Sequence, residues 1–258
     1  MTRIVAVSNQ KGGVGKTTLT VHLAAWLSAR GWRVVVVDVD PQANATNWLL
    51  DETPPQSGLW ETLIVRREPL TLLRDAKWGI RILPGGSDTG DAMITLTTLR
   101  KPFDTIAQTL QRLEIDAQAD VVLVDMPPSK AAGFRETLFA ADYMLVPTQM
   151  ERMSLSGVQM MSNTVYELRE EYGRGPRLLG IIPNMMRSRT VDHSDHLHDL
   201  VEVFTSLVWP VIPQSIRVSE ACTYGTTVFD LSPQDPSALA FTAVCERFVE
   251  NIEGVSAQ

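Results

Sequence analysis

The chain has 258 residues, a formal net charge of −7, 44% hydrophobic and 21% charged residues. This size and balance suit one large α/β domain or at most two small ones. No membrane-spanning helix is expected, because no apolar run reaches about 18 residues. The charge balance excludes the overall basic footprint of a nucleic-acid binder, leaving room only for a local basic patch. The first strand starts within three residues of Met1, so no signal peptide is expected. Cys222 and Cys245 form no C-x-x-C pair and no metal spacing, and read as two thiols in a reducing cytoplasm.

In chain order, Ile4–Ser8 is an apolar run that predicts a buried strand. It leads into Gln10-Lys11-Gly12-Gly13-Val14-Gly15-Lys16-Thr17-Thr18. The plain phosphate-loop pattern G-x-x-x-x-G-K-[ST] fails at its first position, where Gln10 stands. What fits is K-G-G-x-G-K-T-T, with a second lysine at the start. Glycines let the backbone close on phosphates, and the helix that follows presents its positive end to the same anion. Gly12, Gly13, Val14, Gly15 and Thr18 form the cradle. Lys16 would reach the outer phosphates, and Thr17 would offer its hydroxyl to Mg2+. Lys11 lies too early to be on the helix. It points elsewhere, either to a second nucleotide across a dimer interface or simply to solvent.

A helix is predicted over Thr17–Ala29, with Leu19, Leu23, Trp26 and Leu27 spaced for one face and Gly31 closing it. Arg33–Asp38 is a second buried strand, continued by Val39-Asp40-Pro41. Residues 51–79 are less regular, with a break at Pro54-Pro55 and a short helix near Leu59–Val65. Further strands are predicted at Ile80–Leu83, Val121–Asp125, Tyr143–Pro147 and Leu178–Pro183. Helices are predicted at Phe103–Leu113, Ser154–Tyr172, Val191–Leu207 and Pro236–Asn251. The alternation implies a doubly wound, mostly parallel sheet flanked by helices. Ligands bind at the carboxyl ends of such strands, so Ser8, Asp38, Asp125 and Asn184 should gather on one rim.

The loop, the segment Val37-Asp38-Val39-Asp40-Pro41-Gln42, the acid-ended strand Val121–Asp125 with Met126-Pro127-Pro128, and the late segment Val211–Ala221 together resemble the ParA/MinD family of deviant Walker ATPases. The resemblance spans roughly residues 2–250. It implies a single P-loop ATPase domain over residues 1–258 that uses ATP and Mg2+. It implies that Asp40 orients the attacking water and that Asp125 contacts the metal, with Thr17 as a metal ligand. Asp38 is expected near Lys16 and the metal shell, with a purely structural role as its alternative. Lys11 matches the signature lysine that crosses a nucleotide-sandwich homodimer and touches the partner's phosphates. Asn184 and Pro213 are expected on the adenine side, where ordinary turn roles are the alternative.

Within the family the end of the chain matters. Phe248, Val249 and Ile252 form an apolar side on a helix whose polar residues are mostly acidic, which suits core packing better than an anionic membrane surface. Arg217 matches an arginine that contacts DNA phosphate in ParA relatives, with Arg187 and Arg189 as companions. No helix-turn-helix precedes the loop, so the short ParA type is expected, binding nonspecific DNA and answering to a ParB-like activating partner. Such a protein drives plasmid or chromosome partition and works in the cytoplasm on the nucleoid. The alternatives are a ParA-like ATPase that positions a protein complex, or a metabolic ATP-dependent ligase or kinase of related fold. Trp48, Trp60 and the methionines Met150, Met153, Met160 and Met161 are expected in the core, with a partner contact as the alternative. Ala221-Cys222-Thr223-Tyr224-Gly225 departs from the family's usual Ala-Pro-Ser-His-Gly.

Overall fold

The chain builds one seven-stranded sheet with helices on both faces. The structure, a computed structural model, describes residues 3–52, 56–99, 101–128, 131–151, 154–187 and 191–256. In chain order the elements are β1 (Arg3–Val7), α1 (Lys16–Ser28), β2 (Val34–Asp38), α2 (Asn44–Leu49), α3 (Gly58–Leu63), β3 (Arg74–Asp75), β4 (Arg81–Leu83) and α4 (Thr89–Thr98). They continue with α5 (Pro102–Asp116), β5 (Val121–Asp125), α6 (Phe134–Ala140), β6 (Tyr143–Gln149), α7 (Ser154–Tyr172), β7 (Arg177–Asn184), α8 (Val191–Phe204), α9 (Ile216–Thr223), α10 (Val228–Leu231) and α11 (Pro236–Ser256). The strand order is β3-β4-β2-β5-β1-β6-β7, and every pairing is parallel except the antiparallel β3–β4 edge.

The strands are continuous apolar runs because both faces are covered. Alternate residues feed two separate cores. Ile4, Ala6, Val35, Val37, Val122 and Val124 face α3 to α8. Val5, Val7, Val34, Val36, Val121 and Leu123 face α1, α2, α10 and α11. β7 meets Trp209 so closely that a Cβ on Gly180 would lie 2.2 Å from the indole, so only glycine fits there.

Two expectations change. The first helix is not buried along one face: Leu19 through Leu27 are all buried, because α2 and α11 close over it. The helix predicted over Val191–Leu207 ends at Phe204, and its last three residues form a 3-10 turn. The core reading of the last helix is right, since Phe248 and Ile252 are buried and Val249 packs on the same cluster. Trp48, Met150 and Met161 are buried and Trp60 packs against the core, whereas Met160 is half exposed on α7; Met153 lies outside the described residues. Both cysteines are free thiols, Cys245 buried and Cys222 exposed. Among the described residues no helix is long and apolar enough to cross a membrane.

Candidate functional site

The parallel strands end on one rim, and the loop after central β1 crosses it. Its entrance is fixed by Asn9. The side-chain amide donates to the Pro147 carbonyl at 2.7 Å, and the side-chain oxygen accepts from the Lys11 backbone N–H at 3.0 Å. Gly13 and Gly15 both take the left-handed conformation, at φ 74° and 92°. Gly15 is the N-cap of α1, and no side chain caps this end. The first N–H groups of the helix are therefore offered to an anion. A Cβ on Gly15 would also sit 2.3 Å from Asn184 Nδ2, which closes the position to any other residue.

Lys16 is buried, with its ammonium 3.4 Å from the Lys11 carbonyl. Burial lowers its pKa, opposed by the charges of Asp125 and Asp40. Thr17 Oγ1 donates to Asp125 Oδ2 at 2.7 Å, and Thr20 Oγ1 donates to Asp125 Oδ1 at 3.2 Å. Asp125 is fully enclosed. Burial, and then Asp38 beside it, push its pKa up to about 8. A buried carboxyl and a hydroxyl in contact, next to a cationic lysine, form a hard-oxygen donor pair that a divalent cation would complete. A glycine cradle, an uncapped helix end and this pair together fit a Mg2+–triphosphate.

Asp38 is engaged by protein donors. Its Oδ2 accepts from both the backbone N–H (2.8 Å) and the hydroxyl (2.7 Å) of Thr46, and its Oδ1 accepts from the Asp40 N–H at 3.2 Å. Thr46 Oγ1 in turn accepts from the Gly85 N–H at 2.8 Å. The carboxylate thus holds the turn between β2 and α2, the structural role held open for it, while its strand register sets it beside Asp125. β2 ends at Asp38, so Val39 and Asp40 lie beyond the strand. Burial raises the Asp38 pKa to about 6, against the opposing hydrogen bonds from Thr46. Asp40 lies beyond the strand, accepts from the Gln42 N–H at 2.9 Å and reaches the phosphate cavity.

Two cavities meet over the loop. One, of about 540 Å3, is lined by Gly12, Gly13, Gly15, Lys16, Thr17 and Asp40 among others. The second, of about 610 Å3, is walled by Asn184, Met186, Arg187, Ile212, Pro213 and Ile216 among others. Thr18 and Met185 line both and join them. The segment carrying Pro213 is held beside the end of β7 by backbone bonds from Ile212 N–H to Pro183 O (2.8 Å) and from Met186 N–H to Ile212 O (3.0 Å). Asn184 spends its amide on the loop itself. Its Nδ2 donates to the Val14 carbonyl at 2.8 Å and its Oδ1 accepts from the Met185 N–H at 2.9 Å.

Lys11 is not among the residues lining the phosphate cavity. Its half-exposed ammonium is turned outward, paired with the Glu151 carboxylate and 3.4 Å from Gln149 Oε1. Gln149 Nε2 also donates to the Gly13 carbonyl at 3.1 Å, so one residue braces both the lysine and the loop. Arg217 is exposed on α9 and paired with Glu220 at 2.8 Å. Arg187 donates to Gln214 at 2.6 Å on the wall of the second cavity. Arg189 lies outside the described residues.

Several site residues were missed by sequence reasoning. Thr20 and Thr46 give only ordinary threonine signals. Gln149 and Glu151 are 138 and 140 residues from Lys11, a distance that no local pattern spans. Cys222 lines the phosphate cavity from the unusual Ala221–Gly225 segment.

These features define a nucleotide-binding P-loop protein of doubly wound α/β fold. An AAA domain model matches residues 2–175. The chain is 35% identical to the chromosome-partitioning ATPase Soj of Thermus thermophilus over 260 residues, covering 97% of each chain. It resembles the structure of a cobyrinic acid a,c-diamide synthase from Mycobacterium smegmatis, with bound ATP analog and magnesium. That likeness is 29% identity and a TM-score of 0.82, over 98% of this chain and 96% of that one. Apo McdA from Cyanothece shares the fold, with a TM-score of 0.86 at 24% identity over 96% and 100% of the two chains. The chain belongs to the AAA-domain family, among its ParA/MinD-type ATPases.

Proposed function

We propose that this chain is a Mg2+-ATP-dependent dimerising switch that partitions DNA. Residues 1–258 act as a single ATPase domain. The loop residues Gly12 to Thr18 hold the triphosphate, with Lys16 on its outer phosphates. Thr17 and Asp125 hold Mg2+, which neutralises charge on the transferring phosphoryl group when bound. Asp40 orients the attacking water, and the base lies in the cavity walled by Asn184 and Pro213. Two copies pair face to face, and each Lys11 reaches the partner's phosphates.

The observation that carries this reading is the outward position of Lys11. A lysine in the phosphate loop that turns away from its own phosphate cavity is placed to serve another one. Its present pairing with Glu151 is exposed on both sides, and such pairs are weak. Release therefore costs little, and the lysine–phosphate pairing that replaces it exists only when nucleotide is bound. This links dimerisation to ATP.

The ATP-bound dimer holds nonspecific DNA through Arg217, Arg187 and Arg189, and a ParB-like partner stimulates hydrolysis and releases it. The protein thus works on the nucleoid, with a plasmid or chromosome as cargo. Support comes from the Soj relative, which matches over nearly its full length. The test is co-sedimentation with duplex DNA across a salt series. Binding should need Mg-ATP, fall as salt rises and drop several-fold in Arg217→Ala. An ATP-dependent dimer with no DNA binding in any nucleotide state would contradict the DNA half.

The Mycobacterium smegmatis neighbour favours a second reading, an ATP-dependent ligase. That chemistry has no use for Lys11. A Lys11→Ala variant with full turnover would decide for it.

A further inference from the structure

On the opposite rim, where β1, β6 and β7 begin, lies a cavity of about 360 Å3 that the ATPase reading does not use. Its walls carry four arginines: Arg3 at the start of β1, Arg169 in the last turn of α7, Arg174 in the turn that follows and Arg177 at the start of β7. Gln111 of α5 and Asp142 complete the polar lining. Among the described lining residues, Arg169, Arg174 and Arg177 set three guanidinium groups beside the Asp142 carboxylate, on a chain whose net charge is −7.

Several exposed arginines elsewhere on this protein are paired with carboxylates. Arg33 pairs with Asp120, Arg112 with Glu68, Arg135 with Glu171 and Arg217 with Glu220. Among the described residues, Arg169, Arg174 and Arg177 pair with no carboxylate. Asp142 does not serve them. Its Oδ2 accepts from the Ile4 backbone N–H at 3.0 Å, and so joins the starts of β1 and β6.

The guanidinium groups are also positioned. Arg169 directs Nε and Nη2 at the Gly175 carbonyl, both at 3.3 Å. Arg174 lies over the Phe139 ring, 5.6 Å from its centroid, with Nη2 3.4 Å from the Ala140 carbonyl. Each of these interactions leaves other N–H donors of the fork unused. Planar guanidinium forks match phosphate oxygens two at a time, and the volume lies within the range of small-ligand pockets.

We propose that this cavity is a second anion site, which takes a small ligand carrying two or more phosphate groups. It is remote from the phosphate loop, so the ligand acts as an effector and not as a substrate of the loop chemistry.

The test uses inorganic pyrophosphate as probe, titrated calorimetrically into the full-length protein in saturating ADP. One binding event is expected. The double variant Arg174→Gln/Arg177→Gln should weaken it by roughly tenfold or more, since charged hydrogen bonds are lost, while its thermal unfolding stays unchanged. Lys16→Ala should leave pyrophosphate binding intact, which separates this site from the phosphate loop. The proposal is overturned by no binding, or by binding that survives the arginine variant and vanishes in Lys16→Ala. It also falls if the arginine variant loses duplex DNA binding while pyrophosphate binding is unchanged, because the rim would then be a nucleic-acid surface.

Discussion

Asp38 closes β2 with both carboxylate oxygens engaged by protein donors, and Thr46 supplies two of the three hydrogen bonds. The same hydroxyl serves the Gly85 N–H. Thr46→Val keeps the volume and removes that bridge, leaving a buried N–H and a buried carboxyl each one partner short. Unfolding in urea should show a loss of roughly 2–4 kcal/mol. A loss below about 0.5 kcal/mol, the usual scatter for substitutions that touch nothing, would mean that the bridge is not needed. At this scale the sequence was informative where chemistry is contiguous. Lys11 to Thr18 form one string, and the structure folds its Gly12–Thr18 part into one cradle. It was uninformative for the contact between Asp38 and Thr46, because an acid at a strand end gives no sign of a threonine partner eight residues on. That Lys11 points away was legible from its place before the helix, but its partner Glu151 was invisible, since that pair joins two loops through the fold.

At the scale of elements, α1 is tied to α10 by the buried His22. Its Nδ1 lies 2.8 Å from the Thr18 carbonyl, which makes Nδ1 the protonated nitrogen, and Nε2 accepts from the Val228 N–H at 3.1 Å. The ring stacks on Phe241 at 4.4 Å and meets Trp48 edge-on at 5.7 Å. Burial pushes its pKa down to about 4 from an ordinary 6.5. The unfolded chain therefore binds a proton that the native state refuses between those values. Stability from this group is full above about pH 6.5 and is lost as pH falls toward 4, by up to about 1.4 kcal/mol per pH unit. Urea midpoints from pH 7 to 4.5 should fall more steeply for the wild type than for His22→Gln. Parallel slopes would show that His22 titrates normally. The long elements were legible because apolar runs and helical spacing are strong in them. The edge strand β3 was not, because Arg74 and Asp75 are both exposed and carry no apolar signal. The helices α2 and α6, with six and seven residues, are too short for a period to show. The ten residues of α4 are rich in threonine, which favours no helix.

At the scale of the molecule, the two rims of the sheet differ in what they offer. The carboxyl-end rim carries the phosphate loop, the buried Thr17–Asp125 pair and the second cavity beside Asn184, and Lys11 stands at its outer edge. In the dimer proposed above, a second copy set against this rim brings its own Lys11 to the first copy's phosphates, so that neither site is complete alone. The fold class was legible because alternating strands and helices leave little choice of topology. The need for a partner copy rests on one lysine and is the central claim. Sedimentation velocity of the full-length protein in Mg-ATP and in Mg-ADP tests it most directly, alongside Lys11→Ala and Asp40→Ala. A dimer in ATP and a monomer in ADP are predicted. Lys11→Ala should stay monomeric in both, and Asp40→Ala should hold the ATP dimer without turning over. The same mass in both nucleotides, or a Lys11→Ala protein that dimerises as well as the wild type, would contradict the account.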